Sequence, residues 1–230
     1  MTFSLLVRDE ETGALAGAAA TGSLCVGGWV LRGRLGAGMS ASQGAAPSTF
    51  WGEDVLSRMQ AGESAETALD AVTAPDPNRG WRQLSALDPQ GRGAAHSGAE
   101  NTALCAHLIC PGRVAAGNML AGAEVLQALV AGYDRPGTTG DRLLSALEAA
   151  QAIGGDVRGL RSAALLVLHP DRPPLTLRVD MSDSPLTDLR ALHAAATSGS
   201  YEAWTHAVPV RSDPFRADRA LIRADTEGGR

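Results

Sequence analysis

Apolar and polar positions alternate twice at the head of the chain. The runs FSLLV (residues 3–7) and ALAGAAA (14–20), joined by the turn-forming RDEETG, predict two strands of a hairpin. LCVGGWVL and GAGMSAS extend the pattern as two more strands interrupted by glycine, so this block is expected to form one small antiparallel sheet. From Pro47 the period lengthens. Trp51, Val55 and Met59 recur every four residues with Leu56 beside them, and Gly62 stops the run, which predicts a helix. Ser64 then caps a second short helix, SAETALDAV, ended by APDPNRG.

The alternation returns in WRQLSALD and RGAAHSG, which turn at PQG, and in ALCAHLIC and RVAAGNM, which turn at PG. AEVLQALVAGY and DRLLSALEAAQAI carry Leu or Val on one helical face. SAALLVLH and PLTLRVD form a last hairpin, and a helix follows from about Thr187 to Ala196. Strands, two helices, strands, two helices, strands is the order that two stacked antiparallel sheets with a helical layer outside each would produce. The expected class is therefore α+β, a four-layer αββα sandwich. A two-layer α/β arrangement also fits, and periodicity alone does not separate the two. Residues 1–206 are read as a single domain. Residues 207–230 are polar, rich in Arg and Asp and interrupted by Pro209 and Pro214, and are expected to be a peripheral or partly disordered extension.

Composition removes several kinds of chemistry. All twenty basic residues are arginine, so no lysine can form a Schiff base or act as a general base. A net charge of −5 with scattered arginines gives no basic footprint for nucleic acid or an anionic membrane. Cys25, Cys105 and Cys110 are odd in number and lack a disulfide-framework spacing, which suits a reducing compartment. No secretory leader pattern opens the chain, and no apolar run approaches the ~20 residues needed to span a bilayer. A cytoplasmic protein without cofactor, acting on a small molecule, is the expectation, and a homo-oligomer is compatible with it.

Thr2 stands directly behind the initiator and directly before the first strand. A free N-terminal threonine carries its own general base, because an α-amino group has a reference pKa of ~7.7–8.0 and can take the hydroxyl proton near neutrality. Threonine is small enough for ordinary removal of the initiator methionine. With Met1 retained the nitrogen is an amide and has no basicity, and Thr2 is then the first residue of a strand.

The segments MTFSLLVRDEETGALAGAAATGSLCVGG, GAGMSASQGAA, WRQLSALDPQGRGAAHSGAE, VAAGNMLAG and GGDVRGLRSAALLV resemble, in that order, the bacterial Ntn-hydrolase-like family known as domain of unknown function 1028. The resemblance spans roughly residues 1–195 and implies the αββα fold of the N-terminal-nucleophile hydrolases, a superfamily that cleaves amide and related C–N bonds. His107 matches the family's histidine. Asn101 and Leu104 depart from the cysteine and tryptophan of the same motif.

The expected function is thus hydrolysis of a small amide, imide or imine-like C–N bond, other than a peptide bond, with Thr2 attacking and its amine shuttling the proton. Asn118, from the family-like AGNMLAG, and Gln43, at a strand end, could steady an oxyanion. Gln43 could equally cap the next helix, and Asn118 could simply hold a turn. Ser23 could orient the Thr2 amine. Asp156 and Arg158 can pair to hold a substrate carboxylate or to lock their turn, and Ser162 begins a buried strand beside them. Together with His107 these residues are expected to shape the pocket. Arg32 and Arg34 are the candidates for charge assistance to Thr2. Cys105, His107 and Cys110 could be read as metal ligands, but three donors diverging along a strand do not complete a tetrahedron, and no metal is expected. GRLGAG lacks the Lys-Ser/Thr ending of a phosphate loop. Two rival readings stay open: a binding or scaffold protein that keeps Met1, and an enzyme whose nucleophile is Ser23, Cys25 or Ser42.

Overall fold

The first predicted hairpin is present in the computed structural model, which describes residues 2–101, 104–156 and 158–222. Strand β1 (Thr2–Arg8) pairs antiparallel with β2 (Leu15–Thr21), Thr2 facing Thr21 and Arg8 facing Leu15. LCVGGWVL does not continue as a third strand. Cys25 takes a left-handed conformation (φ 61°) and opens one helical turn, α1 (Val26–Trp29), before β3 (Leu31–Arg34). The reason is topological. β3 belongs to a different sheet, so the chain must leave β2, and the crossing is pinned by bonds from the Cys25 N–H to the Asp180 carbonyl and from the Val26 N–H to Ser162 Oγ. The first two hairpins are therefore split between two sheets rather than joined in one.

The second sheet has the order β3-β4-β5-β6, with β4 (Gly38–Gly44), β5 (Arg82–Leu87) and β6 (Gly93–Ser97). Two helices lie between β4 and β5. Ser48 caps α2 (Thr49–Gln60) through the Trp51 N–H, and Ser64 caps α3 (Ala65–Thr73) through the Thr67 N–H. The first sheet has six strands, ordered β10-β9-β2-β1-β8-β7, with β7 (Leu104–Cys110), β8 (Arg113–Leu120), β9 (Ser162–His169) and β10 (Arg172–Val179). Between β8 and β9 run α4 (Glu124–Gly132) and α5 (Thr139–Ala152), the latter opened by a Thr138/Asp141 capping box. Helix α6 (Pro185–Ala196) begins two residues before its expected start because Pro185 supplies a helical φ where no donor is needed, and a short α7 (Gly199–Thr205) follows.

Three apolar clusters define four layers. Phe3, Leu5, Val7, Ala16, Ala18 and Leu165 meet Leu129, Tyr133, Leu143, Leu147 and Leu189 between the six-stranded sheet and α4, α5 and α6. Leu6, Ala19, Val114 and Leu168 meet Met39, Ala41 and Leu87 between the sheets. Trp51, Val55, Met59 and Leu69 meet Leu84 and Ala86 beneath α2 and α3. This is the αββα sandwich, with β1 at the centre of the larger sheet. Beyond α7, Ala207 and Val210 are buried, and the Arg211 N–H bonds the Pro170 carbonyl at the β9–β10 turn.

Helices α4 and α5 approach closely at Gly132, where an added Cβ would lie 2.7 Å from Ala146 Cα and 2.8 Å from the Ser145 carbonyl oxygen. Alanine would gain about 1 kcal/mol of helix propensity there, but rigid backbone must move to admit it, at a cost of about 1–3 kcal/mol. Gly132→Ala is therefore expected to lower the thermal midpoint, as read by circular dichroism, although it replaces a glycine inside a helix.

Candidate functional site

Strand parity decides which side chains meet. In β1, Phe3, Leu5 and Val7 point to the helical layer, so Thr2, Ser4 and Leu6 point between the sheets. The same alternation turns Thr21, Asn118 and Ser162 inward from the larger sheet, and Gln43, Gln83 and Ser85 inward from the smaller one. Leucine, methionine and valine fill the middle of this layer. At the end that holds Thr2 the filling becomes polar, and Ser4, Gln43, Gln83, Ser85, Asn118 and Ser162 are all buried there.

Thr2 lies between β2 and β8, with Thr21 as its partner on one side and Asn118 on the other. Its Oγ1 donates to Thr21 Oγ1 (3.1 Å). Its carbonyl accepts from Gln43 Nε2 (3.3 Å), which also donates to Gln83 Oε1 (2.7 Å). Gln83 is the hub. Its Nε2 lies 2.9 Å from the Ala106 carbonyl, 3.1 Å from the Gly117 carbonyl and 2.7 Å from Ser97 Oγ. The two carbonyls can only accept, so they fix which end of the Gln83 amide is nitrogen, and Gln83 Oε1 then fixes Gln43. Both amides are oriented by backbone. The unpartnered atoms at this end are the Ser4 and Ser85 hydroxyls, Gln43 Oε1, an acceptor, and Asn118 Nδ2, the one amide donor among them. Asn118 is 4% exposed, so this donor has no access to bulk water.

The relay ends at the sheet edge. Ser97 Oγ lies 2.7 Å from Gln83 Nε2 and 2.9 Å from His107 Nδ1, so its hydroxyl joins the imidazole to the relay. Partial burial first, and the charge of His96 second, hold His107 below its ordinary pKa.

Asp156 and Arg158 do pair. The arginine donates Nε to Oδ1 (3.1 Å) and Nη2 to Oδ2 (3.0 Å), and its N–H also reaches Oδ1 (2.9 Å). The carboxylate further accepts the Gly22 N–H (2.5 Å). Burial alone would raise the Asp156 pKa; the bonds from Arg158 and Gly22 outweigh it and hold the carboxyl below the usual range. Ser162 Oγ donates to the Ser23 carbonyl (2.8 Å) and accepts the Val26 N–H (3.1 Å), so it fastens the loop after β2. Ser23 is exposed in that loop, its N–H on Thr21 Oγ1 (3.3 Å).

Other candidates are engaged elsewhere. Arg32 bonds Glu53 and the carbonyls of Gly28 and Trp29, and Arg34 is exposed, whereas Arg158 pairs with the Asp156 carboxylate that accepts the Gly22 N–H. Ser42 turns toward α2 and donates to the Ser48 carbonyl. Asn101 ties its loop to Ala45, Arg82 and Gly98. Among the described residues, no group of three or more His, Cys, Asp and Glu side chains is placed to hold a metal ion, and no helix is long and apolar enough to cross a membrane.

Sequence reasoning passed over Gln83, which looks like any polar residue facing out of a strand. It also passed over strain. Among the described residues, the two non-glycine positions with positive φ are Cys25 (61°) and Met119 (56°), and both belong to this end of the sandwich. Each costs on the order of 1–2 kcal/mol, and Met119 directly follows Asn118.

A separate cavity of about 170 Å³ lies at the opposite end, lined by Asp9, Arg113, Tyr133 and Arg142 among others. Its buried carboxylate, Asp9, is satisfied by neighbouring side chains. Asp9 accepts from Tyr133, Thr139 and Arg142, while Arg113 and Arg142 stack on the Tyr133 ring at 4.8 and 4.0 Å. Burial first, and the Asp9 charge second, push Tyr133 far above its ordinary pKa. This cluster anchors the β1–β2 turn to α5.

Comparison with known proteins gives one family model and related solved structures. The model of a family of unknown function, DUF1028, matches residues 2–189. The crystal structure of protein SPO2555 from Silicibacter pomeroyi, of the same family, aligns with a TM-score of 0.90 and 52% sequence identity, covering 94% of this chain and 98% of that one. Among curated proteins no match is found.

Two outcomes follow from the relay. Gln83→Leu keeps the volume but strands the Gln43 amide, and should cost about 1–3 kcal/mol in urea denaturation. Because folding lowers the His107 pKa, the neutral ring contributes stability that is complete above about pH 6.5 and is lost as pH falls below it toward the folded value. His107→Gln should therefore flatten the acid-side slope of stability against pH.

Proposed function

The chain belongs to the family of unknown function DUF1028, and we propose that it is a hydrolase of a small amide, imide or imine-like C–N bond whose nucleophile is Thr2 once Met1 is removed. The observation that carries this reading is the neighbour of Thr2 on β8: a buried, unpartnered amide donor, Asn118 Nδ2, in direct register with the hydroxyl-bearing residue at the head of the central strand. A buried donor without a partner costs about 1–3 kcal/mol. It is the arrangement expected where a ligand oxygen is to be received.

In the proposed reaction Thr2 Oγ1 attacks the electrophilic carbon of the substrate while its proton passes to the α-amine. For an amide the negative charge builds on the former carbonyl oxygen and is met by Asn118 Nδ2. Collapse of the tetrahedral intermediate breaks the C–N bond, and the leaving nitrogen takes the proton from the α-ammonium. Water, deprotonated by the same amine, then hydrolyses the Thr2 ester and restores the hydroxyl. Gln43 takes a different part from the one the sequence suggested. Its N–H groups are spent on the Thr2 carbonyl and on Gln83, so it orients Thr2, and its free oxygen suits a substrate N–H. His107, on the edge strand, is joined to this end through Ser97.

The test is the chain with Thr2 as its first residue, screened against small acyl amides and cyclic imides. Activity should appear in that form, increase with pH as the amine deprotonates, and be absent from the form that keeps Met1 and from Thr2→Ala. Asn118→Ala should lower kcat by ~10²–10³, the usual cost of one oxyanion donor. Equal activity of both terminal forms, or full activity of Thr2→Ala, would overturn the assignment. Intact-mass measurement of protein from its own host gives the complementary check, since a mass that retains Met1 favours a binding or scaffold role.

A further inference from the structure

The β1 ladder ends at Thr2, between Thr21 and Asn118, and the next residues of the two flanking segments are Gly22 after β2 and Met119 on β8. Asp156 closes the gap between them. Its backbone forms an isolated antiparallel bridge with Leu120, at the end of β8, while its carboxylate reaches the Gly22 N–H at 2.5 Å on the other flank. Those flanks are two strand spacings apart, roughly 9–10 Å. One residue thus spans the head of the central strand. The span is possible because position 22 is glycine: an added Cβ there would lie 2.7 Å from Asp156 Oδ2 and 2.6 Å from the Gly159 carbonyl oxygen. The carboxylate side chain has no exposed surface, and Arg158 grips it from the solvent side, itself 40% exposed.

We infer that Asp156 is a positioning residue for the Thr2 α-amine: its carboxylate holds the amine that removal of Met1 exposes, with Arg158 as the outer counter-charge, rather than binding a substrate. This rests on the proposed role of Thr2 for its catalytic meaning. The amine emerges from the end of β1 toward the bridged carboxylate, which fixes its direction relative to Oγ1 of the same residue. The low Asp156 pKa keeps that partner anionic at neutral pH. An adjacent anion favours the ammonium form and raises the amine pKa, and the guanidinium behind it limits the rise. Arg158 therefore tunes a base it need not touch. The other charged or titratable groups at this end are distributed otherwise: Arg161 pairs with Asp183, Arg178 pairs with Asp180, Cys25 lies in the loop after β2, and Cys105 and His107 stand across β8 at the edge strand.

The absence of lysine makes the test direct, because the α-amine is the only aliphatic primary amine in the chain. Full-length protein beginning at Thr2, released from a cleavable N-terminal fusion, is reductively methylated with formaldehyde and cyanoborohydride between about pH 5 and 10, and the rate is read by intact mass. Only the neutral amine reacts, so the midpoint is its pKa. The midpoint should lie above the reference ~7.7–8.0. Asp156→Asn should move it down by about one unit, seen as roughly tenfold faster labelling near neutrality, and Arg158→Gln should move it up. Opposite displacements are what a structural role cannot give, since general loosening moves both variants toward the reference. An unchanged midpoint in Asp156→Asn, or displacement of both in one direction, would overturn the inference. Should Asp156→Asn fail to fold, Arg158→Gln decides alone, an upward shift supporting the pairing and none refuting it. The titration involves no turnover. Failure of the hydrolase reading, seen as full activity of Thr2→Ala, is thereby separated from failure of this one.

Discussion

The alternation of side chains along β1 is the constraint on which the rest of the molecule depends. Odd positions are apolar to the end, Phe3, Leu5 and Val7, and bind the six-stranded sheet to α4 and α5. Even positions pass from Leu6 through Ser4 to Thr2, so the layer between the sheets is dry in its middle and polar at one end. A slip of one residue would exchange the two faces, putting Phe3 among the glutamines and Thr2 under a helix. With β2 and β8 bonded along nearly its whole length, β1 cannot slip. The position of Thr2 is therefore held by the packing energy of the whole core, not by local bonds.

That rigidity permits the polar end to exist. Buried amides are costly unless oriented, and here backbone carbonyls on β7 and β8 orient Gln83, Gln83 orients Gln43, and Gln43 takes the Thr2 carbonyl. The chain of bonds crosses from one sheet to the other, so it also sets their spacing at this end. Two left-handed residues and an unpartnered Asn118 donor sit within the same region. The opposite end shows the contrast. The cluster of Asp9, Tyr133, Thr139 and Arg142 is also charged and largely buried, yet each of its named bonds closes on another member, which leaves it with a structural part to play.

Permanent positive side-chain charge is carried entirely by arginine, and arginine's planar fork matters where it is used. Arg158 meets Asp156 with two nitrogens and a backbone N–H, which keeps a fully buried carboxylate ionised despite the cost of burial. A lysine could offer neither the second in-plane bond nor the stacking that Arg113 and Arg142 make on Tyr133.

Much of the architecture was legible in the residue pattern, because period-two and period-four runs report which face of an element is buried and capping residues report where it starts. The helices α2, α3, α4 and α5 and the hairpins β1–β2, β5–β6, β7–β8 and β9–β10 all announce themselves in that way. LCVGGWVL misled because its alternation is that of a strand, while the need to cross between sheets turned it into a helical turn. At the site, the sequence by itself determined the chemistry on offer: a threonine at position 2, amides at 43 and 118, an Asp–Arg pair at 156 and 158, and no lysine. Only the tertiary structure decided which of these meet. It brought Asn118 beside Thr2, gave Gln83 a part no motif marks, moved Arg32 out of reach and set Asp156 across the head of β1. The reason is that local pattern encodes which face a residue takes, whereas strand order, register and the stacking of two sheets are settled by contacts between residues far apart in the chain.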